Sequence, residues 1–245
     1  RGTTSGANNV AVGFQALSSA DGGGTALTGA SNVAIGYQAG FNLGGAANSN
    51  ICIGAGAGSA ATTQDELVLI GDAAGDAIND DAADGTVAIG HQALTALTTG
   101  AGNVAIGYEA LKTLTTVASN TAVGYKAGNL NNGAACTYVG YQAGMKGDAA
   151  GSTPTDCTYI GSRAGERMDD ATSNTSVGSN AMLGTDSDGN TGGSNVSIGK
   201  SSMEAITDGS GNSCVGTQAG DAITTGGNNV CIGYLSDAAA TVDNQ

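Results

Sequence analysis

The chain has 245 residues, with 43 Gly, one Pro, two Phe, no Trp and only 11% charged residues, which excludes a thick globular core filled by large side chains. Its formal charge of −14 excludes nucleic acid and anionic membrane surfaces as partners, because both are held by Lys and Arg. No apolar run reaches the roughly 18 residues that a membrane-spanning helix needs, so no membrane insertion is expected.

In chain order, the first patterned stretch is Asn9-Val10-Ala11-Val12-Gly13-Phe14-Gln15-Ala16-Leu17. A glycine-rich insertion, Asp21 to Gly29, separates it from Asn32-Val33-Ala34-Ile35-Gly36-Tyr37-Gln38-Ala39. The next two copies are looser: Ala55 and Asp72 replace the aromatic residue, and Leu67 replaces the asparagine. An acidic loop, Asp76 to Asp84, leads into Thr86-Val87-Ala88-Ile89-Gly90, and the period is tightest from there to Gly140. Pro154 falls in a long connection, where no ladder donor is lost. The last clear copy is Asn229-Val230-Cys231-Ile232-Gly233-Tyr234, and residues 237–245 lose the pattern, as a terminal cap or linker would.

The anchor glycines are Gly13, Gly36, Gly54, Gly71, Gly90, Gly107, Gly124, Gly140, Gly161, Gly178, Gly199, Gly216 and Gly233. Their spacings are 23, 18, 17, 19, 17, 17, 16, 21, 17, 21, 17 and 17 residues. So short and regular a period predicts a solenoid. The fold class is all-β: a parallel β-solenoid, or β-roll, of about thirteen coils. It is one repeat domain over 1–245, with repeats from about 8 to 236, and its first residue, Arg1, is that of a processed product or of a piece of a longer polypeptide.

Side chains alternate faces along a strand, so Val104 and Ile106 share one face while Asn103 and Ala105 share the other. The Val/Ile column is expected to form the apolar wall of a thin buried layer. Small residues at the middle position leave the opposite face flat, broken locally by Leu69, Tyr138 and Tyr159. The anchor glycine implies a positive φ or a close backbone approach. Four residues earlier stand Asn9, Asn32, Asn50, Asn103, Asn120, Asn174, Asn195, Asn212 and Asn229, suited to a left-handed corner or to an amide ladder between coils. Phe14, Tyr37, Tyr108, Tyr125, Tyr141 and Tyr234 form an aromatic column after the glycine, read as packing between coils or chains, with sugar stacking as the alternative. So thin a solenoid leaves a broad surface, and closed association of several copies around one axis covers it.

Cys52, Cys136, Cys157, Cys214 and Cys231 occupy repeat positions, and none makes a C-x-x-C pair, so they read as buried thiols rather than metal ligands. Coil stacking brings Cys214 to about 5 Å from Cys231, within reach of a disulfide, and a Cys136–Cys157 bridge is also open. His91 stands in the aromatic column with no nucleophile beside it, so it reads as a stacking side chain rather than a base. Asp186-Ser187-Asp188-Gly189-Asn190 begins like a calcium loop, but Thr191 and Ser197 occupy the sixth and twelfth positions, where Gly and Glu are needed. The cluster Asp76, Asp80, Asp81 and Asp84 has the same weak claim to calcium, so no cofactor is expected. Thr121, Thr137, Thr158 and Thr175 replace Val on successive copies; hydroxyls bonded to backbone are expected, with an ice-binding array as the alternative. No carboxylate pair is selected for catalysis, so no enzyme is expected.

The recurring phrases Asn32 to Ala39 and Asn103-Val104-Ala105-Ile106-Gly107-Tyr108-Glu109-Ala110 resemble the head repeats of YadA-like trimeric adhesins. Their longer period and links such as Thr98-Thr99-Gly100 resemble fibre proteins of marine phages and large algal viruses even more. The resemblance covers about residues 8 to 236 and implies a left-handed β-roll with three chains around one axis. The family period is nearer 14 residues, so the extra residues here enlarge an outer loop. The implied function is a structural fibre or adhesin segment of a virion appendage, a stiff trimeric spacer on the virion surface. Its partners would be itself, other appendage proteins and a host-surface glycan or protein. The alternatives are a bacterial cell-surface adhesin head and, more remotely, a glycan-cleaving spike.

Overall fold

A computed structural model describes residues 6–18, 28–145, 153–185 and 190–237. Most of the Asp21–Gly29 insertion, Asp186–Gly189 of the calcium-like loop and residues 238–245 lie outside the described residues. The chain divides into two compact units, Arg1–Asn120 and Thr121–Gln245. The first carries β1 (Val10–Val12), β2 (Val33–Ile35), β3 (Ile51–Ile53), β4 (Val68–Ile70), β5 (Val87–Ile89) and β6 (Val104–Ile106), with a short 3-10 turn at Asp81–Ala83. The second carries β7 (Thr121–Val123), β8 (Thr137–Val139), β9 (Thr158–Ile160), β10 (Thr175–Val177), β11 (Val196–Ile198), β12 (Ser213–Val215) and β13 (Val230–Ile232).

Within each unit every strand pairs in parallel with the next strand in sequence, and the repeat positions stay in register. Val33 pairs with Ile51 and Ile35 with Ile53 in the first unit. Val196 pairs with Ser213 and Ile198 with Val215 in the second. Parallel neighbours need a long return connection, and here that connection is the rest of the coil. The result is a β-solenoid, with five turns from β1 to β6 and six from β7 to β13. The return segments are also bonded to one another: Thr98 N–H donates to the Thr115 carbonyl at 2.8 Å, and Thr207 N–H to the Thr224 carbonyl at 2.9 Å. Backbone donors are therefore satisfied by the neighbouring coil around the circuit, which lets a three-residue strand persist.

The anchor glycine has both of its expected backbone reasons. Its φ is +137° at Gly36 and +141° at Gly107, a region that side chains rarely enter. A Cβ on Gly90 would also lie 2.3 Å from the carbonyl oxygen of Gly107, and one on Gly124 would lie 2.3 Å from that of Gly140. The close approach comes from the next coil of the same chain.

Two expectations are corrected. The left-handed corner is not the asparagine but the residue before it: Ser31, Ser119 and Ser194 have φ of 63°, 65° and 57°. The buried layer is not built from the Val/Ile column either. Ala34, Cys52, Ala88, Ala105 and Leu69 point inward and are fully buried, whereas Ile35 and Ile106 are exposed. The faces alternate as expected, with Ala105 inside and Ile106 outside. A coil of about 17 residues is too thin to take β-branched residues from its strand as well as large residues from its return. The return supplies them: Leu94 and Leu97 in one coil and Leu111 and Leu114 in the next are fully buried. Burying each such leucine contributes about 1.5–3 kcal/mol.

Candidate interaction surface

With the small residues turned inward, each strand presents its first and third residues, and then the residue after the anchor glycine, to the outside. The first two outward columns are β-branched except at Ser213 and contain no charge. In the first unit Ile35 and Tyr37 are 39% and 54% exposed; in the second, Ile198 and Val215 are each 40% exposed. Among the described residues, the exposed large apolar side chains lie on these columns, apart from Leu130 and Leu235. On a chain of charge −14, the first unit thus carries an apolar sheet face, and the second carries an unbroken Val/Ile column beside a column that is Thr or Ser on five of its seven strands. Contiguous apolar surface of this kind marks an interaction site. Thr121, Thr137, Thr158 and Thr175 form one in-register column on this same face, half-exposed.

The aromatic column lines one edge of the face. Phe14 stacks on Tyr37 with ring centroids 5.8 Å apart and planes 8° from parallel, and Tyr125 stacks on Tyr141 at 5.4 Å and 9°. His91 occupies the same column, stacked on Tyr108 at 5.1 Å, with Nε2 3.4 Å from the Asp72 carboxylate. Tyr234 is exposed at the end of the second unit's column. In-register stacking follows from coil spacing, since a residue at one repeat position sits directly above its equivalent.

Behind the face runs the asparagine column. Asn32 donates its backbone N–H (2.9 Å) and side-chain amide (3.1 Å) to the Asn9 Oδ1, and Asn50 does the same to Asn32 at 3.0 Å for both. Leu67, where the asparagine is missing, still donates its backbone N–H to Asn50 Oδ1 at 3.0 Å. Asn103 and Asn120 form a second short run. In the second unit Asn174, Asn195, Asn212 and Asn229 form an unbroken ladder. The other amide hydrogen reaches the return segment, as in Asn195 Nδ2 to the Gly209 carbonyl at 2.8 Å. A buried side chain that fixes strand, neighbour and return together is worth more than its packing volume.

The acidic cluster is held by internal hydrogen bonds. Asp76 accepts from the Ser59 hydroxyl. Asp81 accepts from Thr63 Oγ1 at 2.6 Å, Asp80 caps the Ala82 N–H at 2.9 Å, and Asp84 accepts the Asp65 N–H at 2.9 Å. Partial burial pushes the Asp84 carboxyl up, helped by its neighbours Asp81, Asp65 and Glu66. Among the described residues no three His, Cys, Asp or Glu side chains converge as a metal site would require.

All five cysteines are buried thiols. Burial pushes Cys52 and Cys214 up to about 12, so their thiolates are scarce at neutral pH, and it raises Cys231 in the same direction. Cys214 and Cys231 are in-register partners of β12 and β13. Cys136 and Cys157 immediately precede the in-register strands β8 and β9. The hydrogen bond between their thiols raises Cys136 and lowers Cys157. Burial pushes the Tyr138 and Tyr159 phenols beside them well above their ordinary value.

Reading by strand parity missed the exchange of size between the strand and its return. The residue two before the anchor glycine and the residue four after it fill the same space. Large at the first goes with Gly at the second (Leu69 and Gly75, Tyr138 and Gly144), whereas Ala88 goes with Leu94 and Ser176 with Met182. The exchange is visible in the sequence at a six-residue spacing, although Ala34 with Gly40 and Ala122 with Gly128 are small at both positions. Comparisons of the chain with protein families, curated proteins and solved structures find no match.

Proposed function

We propose that this chain is a non-enzymatic structural segment of a homotrimeric fibre, of the kind carried on virus or phage appendages. The observation that carries the reading is the outward Val/Ile and Tyr face. A regular sheet face whose two strand columns carry no charge, on an otherwise acidic chain, is suited to packing against the same face of sister chains. Three copies around an axis would cover it with closed symmetry and leave the acidic returns in solvent. The repeat phrases, which resemble adhesin-head and viral-fibre repeats, support the same reading.

The mechanism is mechanical. Rung-to-rung hydrogen bonds and the asparagine ladder resist bending and stretching, and the longer returns between some coils supply variable surface for a host glycan or protein. Electron microscopy of the purified protein tests this: uniform thin rods are expected, and compact round particles would contradict it. Turnover of glycans by the purified protein would contradict the non-enzymatic part.

A further inference from the structure

Two neighbouring coils of the second unit share a departure from the pattern. Cys136-Thr137-Tyr138 and Cys157-Thr158-Tyr159 both place Cys where most coils have Asn and Tyr where most have Ala, Ser or Cys. The coils are in register, Thr137 against Thr158 and Tyr138 against Tyr159, so the two thiols are adjacent as well. Both Cys and both Tyr are about 1% exposed or less. The two thiols are hydrogen-bonded to each other and also reach carbonyls at long range: Cys136 Sγ lies 3.4 Å from the Ala134 and Pro154 oxygens, and Cys157 Sγ 3.4 Å from Thr155 and 3.2 Å from Ala171. The Tyr138 and Tyr159 hydroxyls are buried and make no hydrogen bond of ordinary geometry; each faces the thiol of its own coil, and Tyr159 also faces Asn174. An unmet buried hydroxyl costs about 1–3 kcal/mol, and here two occur side by side next to two thiols.

We propose that Cys136 and Cys157 form a clamp for a soft monovalent cation of the Cu(I) class, with Tyr138 and Tyr159 donating hydrogen bonds to its sulfurs. Thiolates select such ions. Side chains on adjacent in-register coils stay about 4.8 Å apart. A two-coordinate ion placed between the two sulfurs bridges a gap of that order in a line, with one bond to each sulfur. The same spacing lies within the Cα range of a disulfide, so air oxidation of the pair is the competing outcome that the test reads. On binding, each thiol loses its proton to solvent and forms one sulfur–metal bond, so two thiolates and one cation leave a net charge of −1 in the core. The two phenol O–H groups are the donors that this charge needs, and their vacancy in the thiol form is then explained. Cys214 and Cys231 share the spacing but have no tyrosine beside them, since the residues two further on are Gly216 and Gly233.

The test uses the full chain carrying Cys52→Ala, Cys214→Ala and Cys231→Ala, alanine being the residue that several other coils place there. Under anaerobic conditions it is titrated against the Cu(I)–bicinchoninate complex, with chelator absorbance and intact mass as readouts. One Cu(I) per chain should be withdrawn from the chelator. Tyr138→Phe with Tyr159→Phe, which leaves the ring packing intact, should weaken binding by about tenfold or more. Cys136→Asn or Cys157→Asn, restoring the common residue, should abolish it. Failure to withdraw copper, equal affinity in the double Phe protein, or a metal-free chain that becomes lighter by two hydrogens in air would each overturn the proposal.

Discussion

The ring of Tyr159 occupies the space that a side chain on Gly165 would need: a Cβ there would lie 2.5 Å from two ring carbons. Tyr138 stands in the same relation to Gly144, at 2.3 Å, and Leu69 to Gly75, at 2.7 Å. Strand and return therefore fill one small cross-section by exchange. In a coil with Ala88 and Leu94, Leu94→Gly should cost about 2–5 kcal/mol by opening a cavity. Adding Ala88→Leu should recover part of that loss, giving a favourable coupling in a double-mutant cycle by chemical denaturation. Additive losses would show that the two positions do not share space.

The glycine column gives a sharper contrast. Gly107 has φ +141°, and a Cβ on Gly90 of the preceding coil would meet its carbonyl at 2.3 Å. Gly107→Val should destabilise the coil by about 3 kcal/mol or more. Thr99 is half-exposed on the return, and Thr99→Ala should be nearly silent. Thermal melts of the two variants decide it: equal midpoints would contradict the role given to the column.

Asn195 accepts two hydrogen bonds from Asn212 and donates to Asn174 and Gly209 while fully buried. Asn195→Ala leaves the Asn212 backbone N–H and amide without an acceptor, at about 1–3 kcal/mol for each group. A loss of about 2–5 kcal/mol is expected in denaturant melts, with faster amide exchange at Asn212. A change below about 0.5 kcal/mol, the level of an ordinary surface substitution, would show that the ladder is ornamental.

Cys52 should make stability fall at high pH. Burial raises its thiol from 9.0 to about 12, so between those values the unfolded chain releases a proton that the folded chain keeps. The folded state then binds more protons than the unfolded state, and stability declines as pH rises, by about 1.4 kcal/mol per unit. Cys52→Ala removes this dependence. Its stability relative to the parent should rise by about 1.4 kcal/mol between pH 8 and pH 10, and a constant difference would contradict the assignment.

Much of this architecture is legible in the sequence, because a repeat read many times over averages out local ambiguity. The strand phrases, the anchor glycines and the asparagine column stand where periodicity puts them. Periodicity could not tell which side of the strand is inside. Alternation says only that Val104 and Ile106 share a face, and large apolar residues are inside by default in ordinary sheets. What decides the matter is the return, where Leu94 with Leu97 and Leu111 with Leu114 repeat at a three-residue step after the glycine. Once they fill the core, only Ala, Ser or Cys fits opposite them, and Val and Ile must face out. The paired Cys-Thr-Tyr phrases are equally visible, but their hydroxyls are seen to lack partners only when neighbouring coils are placed side by side.

The central claim is that the outward Val/Ile and Tyr face packs against copies of itself. Sedimentation equilibrium of the purified chain at micromolar concentration measures this most directly. A mass of three chains is expected, falling to one chain when Ile198→Lys and Val215→Lys place charges on the face while the circular-dichroism spectrum stays unchanged. A parent protein that sediments as a single folded chain, with that face left in water, would contradict the account.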